Sequence, residues 1–390
     1  MTLSSHTLRL LGLAAFASMA SMRVCDPMLL TLSQEFQTGT GEAAAVVSAF
    51  AVAYGVMQLF YGPLGDRLGK LRVVWGATLA CALLNGVTAL APGLGWLVGG
   101  RVALGAAAAG IIPLTMAWIG DQVPYAQRQE TLARLMVATV SGMMAGQWFG
   151  GFAAEFLGWR VAFALLSALF AGAALLLYPI LRDLPPAPVG PADASREPFL
   201  RKTLHLLRLP RVRWVLAVTL VEGALAFGAM AFVPSRLGQG FGMSASAAGG
   251  AMVLFGVGGL LYSLFARRWL QWLGERWLAR VGGTLIAAGL GLLVWGGEVR
   301  WAMAGCAVFG LGFYMLHNLL QTQATKMAPE ARGTAVTLFA CVLFLGQSLG
   351  VLAMAASADR GLLSAMFLLA AGGLWALGGW IAHRLPAQRA

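Results

Sequence analysis

Charged residues are scarce in this sequence. Of its 390 residues only 11% are Asp, Glu, Lys or Arg, whereas 59% are hydrophobic. The mean hydropathy of +0.76 lies far above that of soluble globular domains. The scarcity of charge excludes a large water-soluble domain and indicates an integral membrane protein.

Residues suited to metal binding and catalysis are also few. Three of the four histidines, His6, His205 and His383, lie near the chain ends or between apolar segments, and the sequence has no HExxH motif. The four cysteines have spacings that fit neither a zinc site nor a disulfide framework. We therefore expect no catalytic residue, no metal site and no cofactor, and the protein is not predicted to be an enzyme.

Long apolar runs are abundant. A helix that spans a bilayer needs about 20 mostly apolar residues, and twelve segments of the chain qualify. These segments cover approximately residues 10–32, 43–61, 73–91, 96–118, 132–154, 161–181, 214–236, 244–265, 279–296, 301–324, 333–357 and 361–382. The pattern predicts an all-α membrane protein with twelve transmembrane helices and both chain ends on one side.

The positive charge is distributed unevenly between the loops. A net charge of +12 would suggest nucleic-acid binding in a soluble protein, but here the positive-inside rule explains it. If the chain ends are cytoplasmic, the exceptions are Arg23 and Arg101 within the membrane and four arginines outside, namely Arg160, Arg236, Arg300 and Arg360. We therefore expect no nucleic-acid partner, and a multi-pass protein of a bacterial-type inner membrane with cytoplasmic termini.

The stretch RDLPPAPVGPADASREP, residues 182–198, predicts a flexible linker. It divides the chain into an N-terminal six-helix bundle (1–182), a cytoplasmic linker (183–213) and a C-terminal six-helix bundle (214–390). Residues 199–209 place three leucines on one helical face and basic residues elsewhere, which suits a helix lying on an anionic membrane surface; a solvated connector is the alternative. These residues are Leu200, Leu204, Leu207, Arg201, Lys202 and Arg208.

The two halves show an internal repeat. A shift of about 200 residues places Gly105 on Gly305, Gly110 on Gly310, and GQWFG (146–150) on GQSLG (346–350). Parallel repeats of six spans, with a site between the halves near the midplane, are an architecture of secondary transporters.

The loop GPLGDRLGKLR, residues 62–72, lies between the second and third segments. Its glycine spacing excludes a phosphate-binding P-loop. It resembles the loop between helices 2 and 3 of the major facilitator superfamily, and RVALGAAAAG (101–110) and GWRVAF (158–163) are similar to further motifs of that family. The proton-driven drug efflux branch of that family has a Gly-Pro-x-x-Gly-Gly element in helix 5. Here the segment reads GQWFGG, with Gln147 in place of the proline. Close helix packing through the glycines is therefore the alternative to an antiporter element.

The resemblance implies that this loop forms a cytoplasmic latch. Gly62 and Gly65 would let helix 2 approach helix 11, and Asp66 would face the positive end of that helix near Gly333. The alternative is that the charges only fix the topology, and the matching loop ARRWLQWLGER lacks the Asp. The predicted latch residues are Gly62, Gly65, Asp66, Arg67, Gly69, Lys70 and Arg72.

Ionisable residues within the apolar segments are candidate functional groups, because each costs at least about 2.5 kcal/mol at bilayer depth. They are Arg23 and Asp26 on helix 1, Arg101 on helix 4, Glu222 on helix 7 and His317 on helix 10. In the superfamily these four helices line the central cavity. The distribution therefore indicates a site between the two halves.

The depths of these residues suggest two pairs. Asp26 and Arg101 could bond across the cavity as a charge gate, with Arg23 competing for Asp26; a fixed ion pair is the alternative. Glu222 is at the same depth as His317, and its apolar surroundings disfavour a bare charge, which makes it the predicted proton carrier. A packing hydrogen bond is the alternative for His317.

Neighbouring residues predict the wall of the cavity. A polar stripe on helix 10 and soft apolar side chains suit a lipophilic substrate, whereas Met19, Met22, Cys25 and His317 offer the alternative of soft ligands for Cu(I). The predicted substrate-cavity residues are His317, Tyr314, Asn318, Gln321, Met22, Met116, Phe227 and Met230.

The sequence as a whole predicts a monomeric secondary transporter that works by alternating access in the lipid bilayer. Its partners would be protons and a small organic, lipophilic substrate, which it would export. An importer of a nutrient or of copper is the alternative, and a non-transporting membrane sensor is an alternative of another class.

Overall fold

A computed structural model describes residues 5–182 and 199–385 of the chain. Within these two ranges every regular element is a helix. The first part of the predicted linker, residues 183–198, lies outside the described residues, as do the extreme ends of both predicted bundles.

Twelve helical spans follow one another along the chain, as predicted. One helix, Ala245–Trp295, provides two of them, because the backbone turns at Gly274, where φ is 71°. The spans are α1 (His6–Glu35), α2 (Thr40–Leu68), α3 (Lys70–Ala89), α4 (Leu94–Gln122), α5 (Tyr125–Phe156), α6 (Trp159–Arg182), α7 (Pro210–Phe241), α8 (245–273), α9 (275–295), α10 (Val299–Lys326), α11 (Arg332–Ala358) and α12 (Leu363–Arg384).

The repeat is visible in the packing, but its register differs between helices. A side chain at Gly105 would collide with the carbonyl of Phe50, and one at Gly310 would collide with that of Phe255. Gly105 therefore corresponds to Gly310, so the predicted matches of Gly105 with Gly305 and of Gly110 with Gly310 are wrong by five residues. The match of residues 146–150 with 346–350 holds, because both segments pack on their neighbours in the same way.

The two halves meet on one face of the molecule and separate on the other. We call the side where α1 begins and α12 ends the terminal face, and the opposite side the far face. Towards the far face, α2 contacts α11, where the Ser348 hydroxyl donates to the Ser48 carbonyl at 3.2 Å. Towards the terminal face, a side chain at Gly62 or Gly333 would meet no atom within 4 Å. The structure is thus open at the terminal face.

The predicted latch is not formed in this open state. Gly65 packs against Leu114 of α4, Lys70 pairs with Asp121, and Asp66 is exposed. The predicted contact of α2 and Asp66 with α11 is therefore absent from this conformation, in which the two halves do not meet at this end. It stays a prediction for the state that is closed at the terminal face.

The matching loop of the second half carries an ion pair of reversed polarity. Glu275 bonds Lys326 at 3.0 Å, where the first half has Lys70 and Asp121. Gly69 and Gly274 precede these residues, and both have a positive φ, 89° and 71°. The turn and the pairing are thus duplicated, although the second loop lacks the Asp of the latch motif.

A short helix, Phe199–Arg208, precedes α7 and matches the predicted amphipathic segment. Leu206 is buried against the bundle, whereas Leu204 and Leu207 are exposed. Arg201 and Arg208 are exposed as well, and the side chains of the predicted Leu200 and Lys202 lie outside the described set. The exposed leucines are free to contact lipid.

Candidate functional site

Helix α1 is interrupted near its middle. Its regular part ends at Arg23, a 3₁₀ turn covers Asp26–Met28, and the helix resumes at Leu29. Pro27 causes the interruption, because proline has no N–H for the helical ladder. Asp26 is fully buried at this bend, and the carbonyl groups of the preceding turn become available to other donors.

Arg101 of α4 is the donor to these carbonyl groups. Its guanidinium donates to the carbonyls of Ser21 at 2.7 Å, Met22 at 3.1 Å and Val46 at 2.9 Å. Its central carbon lies 4.2 Å from the Phe50 ring centroid, which adds a cation–π contact. A cation is well placed at the end of a helical segment, where the helix dipole is negative. Arg101 therefore braces the bend of α1 against α2 and α4.

The predicted bond between Asp26 and Arg101 is consequently not formed. Asp26 Oδ2 accepts instead from Arg23 Nη1 at 3.3 Å and from Gln147 Nε2 of α5 at 2.9 Å. The guanidinium of Arg101 is occupied by three backbone carbonyls, and Arg23, the predicted competitor, takes the carboxylate. Arg23 also lies 4.7 Å above the ring of Phe227, so it links the first half to the second.

Three buried polar atoms of this cluster have no hydrogen-bond partner among the residues described. They are Asp26 Oδ1, Gln147 Oε1 and Arg23 Nε. Two acceptors and one donor are thus left for a ligand, a water molecule or a proton. Buried polar groups usually find partners, so their concentration here makes this cluster a candidate binding site.

Gln147 reaches Asp26 because α5 lies unusually close to α1. A side chain at Gly146 or Gly150 would collide with backbone carbonyls of α1. The glycines of GQWFGG therefore allow close packing of α5 on α1, which was the alternative given for this segment. Gln147, which lies between them, donates to the carboxylate of Asp26. The sequence signal that could have revealed this contact was an amide in an apolar helix.

The second ionisable centre lies on α7 and α10. Glu222 immediately precedes a single π-helical turn, Gly223–Phe227, and such turns occur often at functional sites. Its side chain is fully buried, and its Oε2 lies 3.1 Å from Nδ1 of His317. Glu222 Oε1 has no partner within the described ranges. The His317 side chain keeps 18% of its surface exposed, so the pair joins a fully buried carboxyl group to a partly exposed imidazole.

The polar stripe on α10 lies on one accessible side of the helix. Tyr314, His317, Asn318 and Gln321 are half-buried, whereas the neighbouring leucines at 316, 319 and 320 are buried. The structure thus brings the predicted polar residues of α10 together.

Aromatic rings lie between the two centres. His317 stacks on Phe313 with ring centroids 5.1 Å apart, and Phe313 contacts Phe227 edge-on at the same distance. Phe227 in turn lies under Arg23. A continuous row of side chains therefore connects Asp26 in the first half with Glu222 in the second.

The predicted apolar wall is only partly exposed. Met22, Phe227 and Met230 are buried, and Met116 is 40% exposed. Met230 lines a narrow apolar gap between the halves together with Gln147 and with four side chains that the sequence analysis did not name, Met143, Met144, Met252 and Phe255. These residues were missed because they lie on α5 and α8, which were not expected to line the cavity.

Comparisons with known proteins agree with this architecture. The sequence model of the Major Facilitator Superfamily matches residues 11–351. An uncharacterised MFS-type transporter of Bacillus subtilis, YceJ, is 27% identical over 83% of this chain and 82% of its own. The multi-drug resistance efflux pump PmrA of Streptococcus pneumoniae is 29% identical over 49% of each chain. The crystal structure of a point mutant of the nucleoside transporter NupG superposes with a TM-score of 0.80 at 13% identity, over 96% of this chain and 98% of that one.

Proposed function

The chain belongs to the Major Facilitator Superfamily of membrane transporters, and from that premise we propose that it exports a small lipophilic compound in exchange for protons. The efflux direction is supported by the name of PmrA, which matches about half of the chain. The proposal places both chain ends in the bacterial cytoplasm, as the arginine and lysine distribution favours. The terminal face is then cytoplasmic, and the state described above faces inward.

The contact between Glu222 and His317 carries this proposal. A carboxyl group that is fully buried in an apolar bundle loses its hydration and needs a hydrogen-bonding partner. His317 is that partner, and it is the part of the pair that keeps exposed surface. A carboxylate and an imidazole in contact form a unit that can load and release one proton.

The proton route follows from these two side chains. Protonated Glu222 donates through Oε2 to Nδ1 of a neutral His317, and transfer leaves a carboxylate beside an imidazolium. The imidazolium then loses the proton from Nε2 to water. In the inward-facing state, this sequence releases a proton on the cytoplasmic side, as an antiporter requires.

The cluster around Asp26 would act as the gate and as the polar part of the substrate site. Its unpartnered acceptors, Asp26 Oδ1 and Gln147 Oε1, suit the positively charged head of a lipophilic cation. The methionines that line the closed gap around Gln147 would contact its apolar body once the halves separate there, since methionine adapts to varied shapes. Arg101 would be a fixed brace, because three carbonyls hold it.

The test is efflux of a fluorescent lipophilic cation from bacterial cells that lack their own pumps. We compare the wild type with Glu222→Gln, each with and without a protonophore. Glu298→Gln is the matched control, because this exposed carboxylate precedes α10 and pairs, in the described contacts, with Arg300 in the first turn of that helix. We expect the wild type and Glu298→Gln to extrude the dye, and both the protonophore and Glu222→Gln to stop extrusion.

Other outcomes would redirect the proposal. Extrusion by Glu222→Gln at the wild-type rate would remove Glu222 as the proton carrier. If no variant extrudes more dye than the empty vector, export of lipophilic cations is wrong. Uptake of metals and metabolites into proteoliposomes would then test the importer, and an absence of any flux would favour the sensor.

A further inference from the structure

Two carboxylates bind across the halves of the protein at the far face, and both do so in the same unusual form. Asp359, at the end of α11, accepts from the backbone N–H of Gly41 at the start of α2, with both carboxylate oxygens at 3.1 Å. Glu155, near the end of α5, accepts from the backbone N–H of Ser246 at the start of α8 at 2.9 Å. In each bond a carboxylate from one half caps a helix of the other half.

The two bonds are related by the internal repeat. Helices α5 and α11 occupy equivalent places in their halves, and so do α2 and α8. One bond therefore runs from the second half to the first, and the other runs in the reverse direction. The unpaired N–H groups and the positive dipole of a helix start attract a carboxylate, so each bond pulls the two halves together.

The surrounding backbone is built for this approach. A side chain at Gly39 or Gly41 would collide with Asp359, so glycine is needed for α2 to come this close. At the other bond, Ser244 caps α8 by accepting from Ala247 N. That leaves the N–H of Ser246 for Glu155.

We propose that Glu155 and Asp359 are gating residues of this transporter, which clamp the far face shut while the terminal face is open. Opening the far face requires α2 to leave α11 and α5 to leave α8, and both bonds must break for that movement. The clamps act on the equilibrium between the two faces. They depend neither on the substrate nor on proton coupling, so this inference stands apart from the function proposed above.

The test is a distance measurement by pulsed electron paramagnetic resonance on purified protein without substrate. Spin labels at Gln34 and Val299 report the far face, and labels at Leu68 and Trp272 report the terminal face. All four positions are exposed, whereas the four native cysteines are buried. The clamps are weakened by the nearly isosteric double substitution Glu155→Gln and Asp359→Asn, which removes both charges and leaves only a neutral amide oxygen to accept from each helix start.

We expect the double variant to increase the population with a long far-face distance about fivefold or more, the lower limit of usual coupling. The terminal-face distance should shorten in the same molecules. The matched control is Glu35→Gln, a far-face carboxylate that bonds Trp159 at 2.7 Å and Arg160 at 2.6 Å within one half. It should leave both distributions unchanged.

If the double variant had the same distance distributions as the parent protein, the proposal would be overturned. An equal shift of the distances in Glu35→Gln would overturn it as well. A second measurement does not depend on whether the double variant folds. Glu155→Cys and Ser246→Cys are cross-linked in native membranes, and the terminal-face labels must then stay at their open distance. A closed distance in the cross-linked protein would also contradict the clamp.

Discussion

In the first half of the protein, Gly146 and Gly150 of α5 lie against the backbone of α1, and in the second half Gly346 and Gly350 of α11 lie in the same way against α7. The charged groups are not repeated in this manner. Asp26 is held by an arginine and an amide, whereas Glu222 has a single histidine partner. Duplication has thus preserved the packing contacts and left the halves free to acquire different chemistry.

The bends of the central helices show the same contrast. Helix α1 is broken by Pro27 and braced by Arg101, while α7 contains a π-helical turn and has no proline there. The position that corresponds to Arg101, 205 residues later in the register of the Gly105 and Gly310 contacts, is the buried Cys306. One half therefore has a bend that an arginine braces and a carboxylate with two partners, and the other has a π-helical bend and a carboxylate with one partner in the described contacts.

The largest expected effect tests this contrast in stability. Arg101→Ala should lower the free energy of unfolding by about 3–5 kcal/mol, because several buried carbonyls lose a charged donor at once. Cys306→Ala, at the corresponding position, should cost less than about 1.5 kcal/mol, since only a small apolar group changes. Thermal unfolding of both variants in detergent measures the difference. Equal melting temperatures would mean that Arg101 does not brace α1.

The glycine contacts should respond equally in the two halves. Gly146→Ala and Gly346→Ala each place a methyl group against a carbonyl of the neighbouring helix. Each change should cost about 1–3 kcal/mol, the usual range for overpacking. Gly120→Ala is the control, because a methyl group there meets no atom within 4 Å. A loss confined to one half would show that the packing is not duplicated.

The twelve helices, the repeat and the list of buried ionisable residues could be predicted from the sequence, because each depends on hydrophobicity or spacing along one segment. The partners of Arg101 could not. Its acceptors are backbone carbonyls, which the sequence does not mark, and they become available only because α1 bends at Pro27. The contact of Gln147 with Asp26 and the far-face bonds likewise depend on how closely helices from distant parts of the chain approach.

A smaller effect should separate the two buried glutamines of the repeat. Gln147 donates to Asp26, whereas Gln347 occupies the matching position beside no carboxylate in the described contacts. Gln147→Ala should therefore destabilise the protein by about 1–2 kcal/mol, the value of a hydrogen bond within a membrane. Gln347→Ala should cost less. Melting temperatures in detergent compare the two, and an equal or larger loss for Gln347→Ala would contradict the assignment.

The smallest effect concerns the two loops at the terminal face, where the same ion pair occurs with opposite polarity. Lys70→Glu places two carboxylates together and should cost about 0.2–1 kcal/mol, because the pair is partly exposed to solvent. Adding Asp121→Lys recreates the polarity that Glu275 and Lys326 already have in the second half, so the double variant should regain the melting temperature of the parent. If it stayed as unstable as Lys70→Glu, the loop of the first half would need its own order of charges, and the two turns would be equivalent in backbone alone.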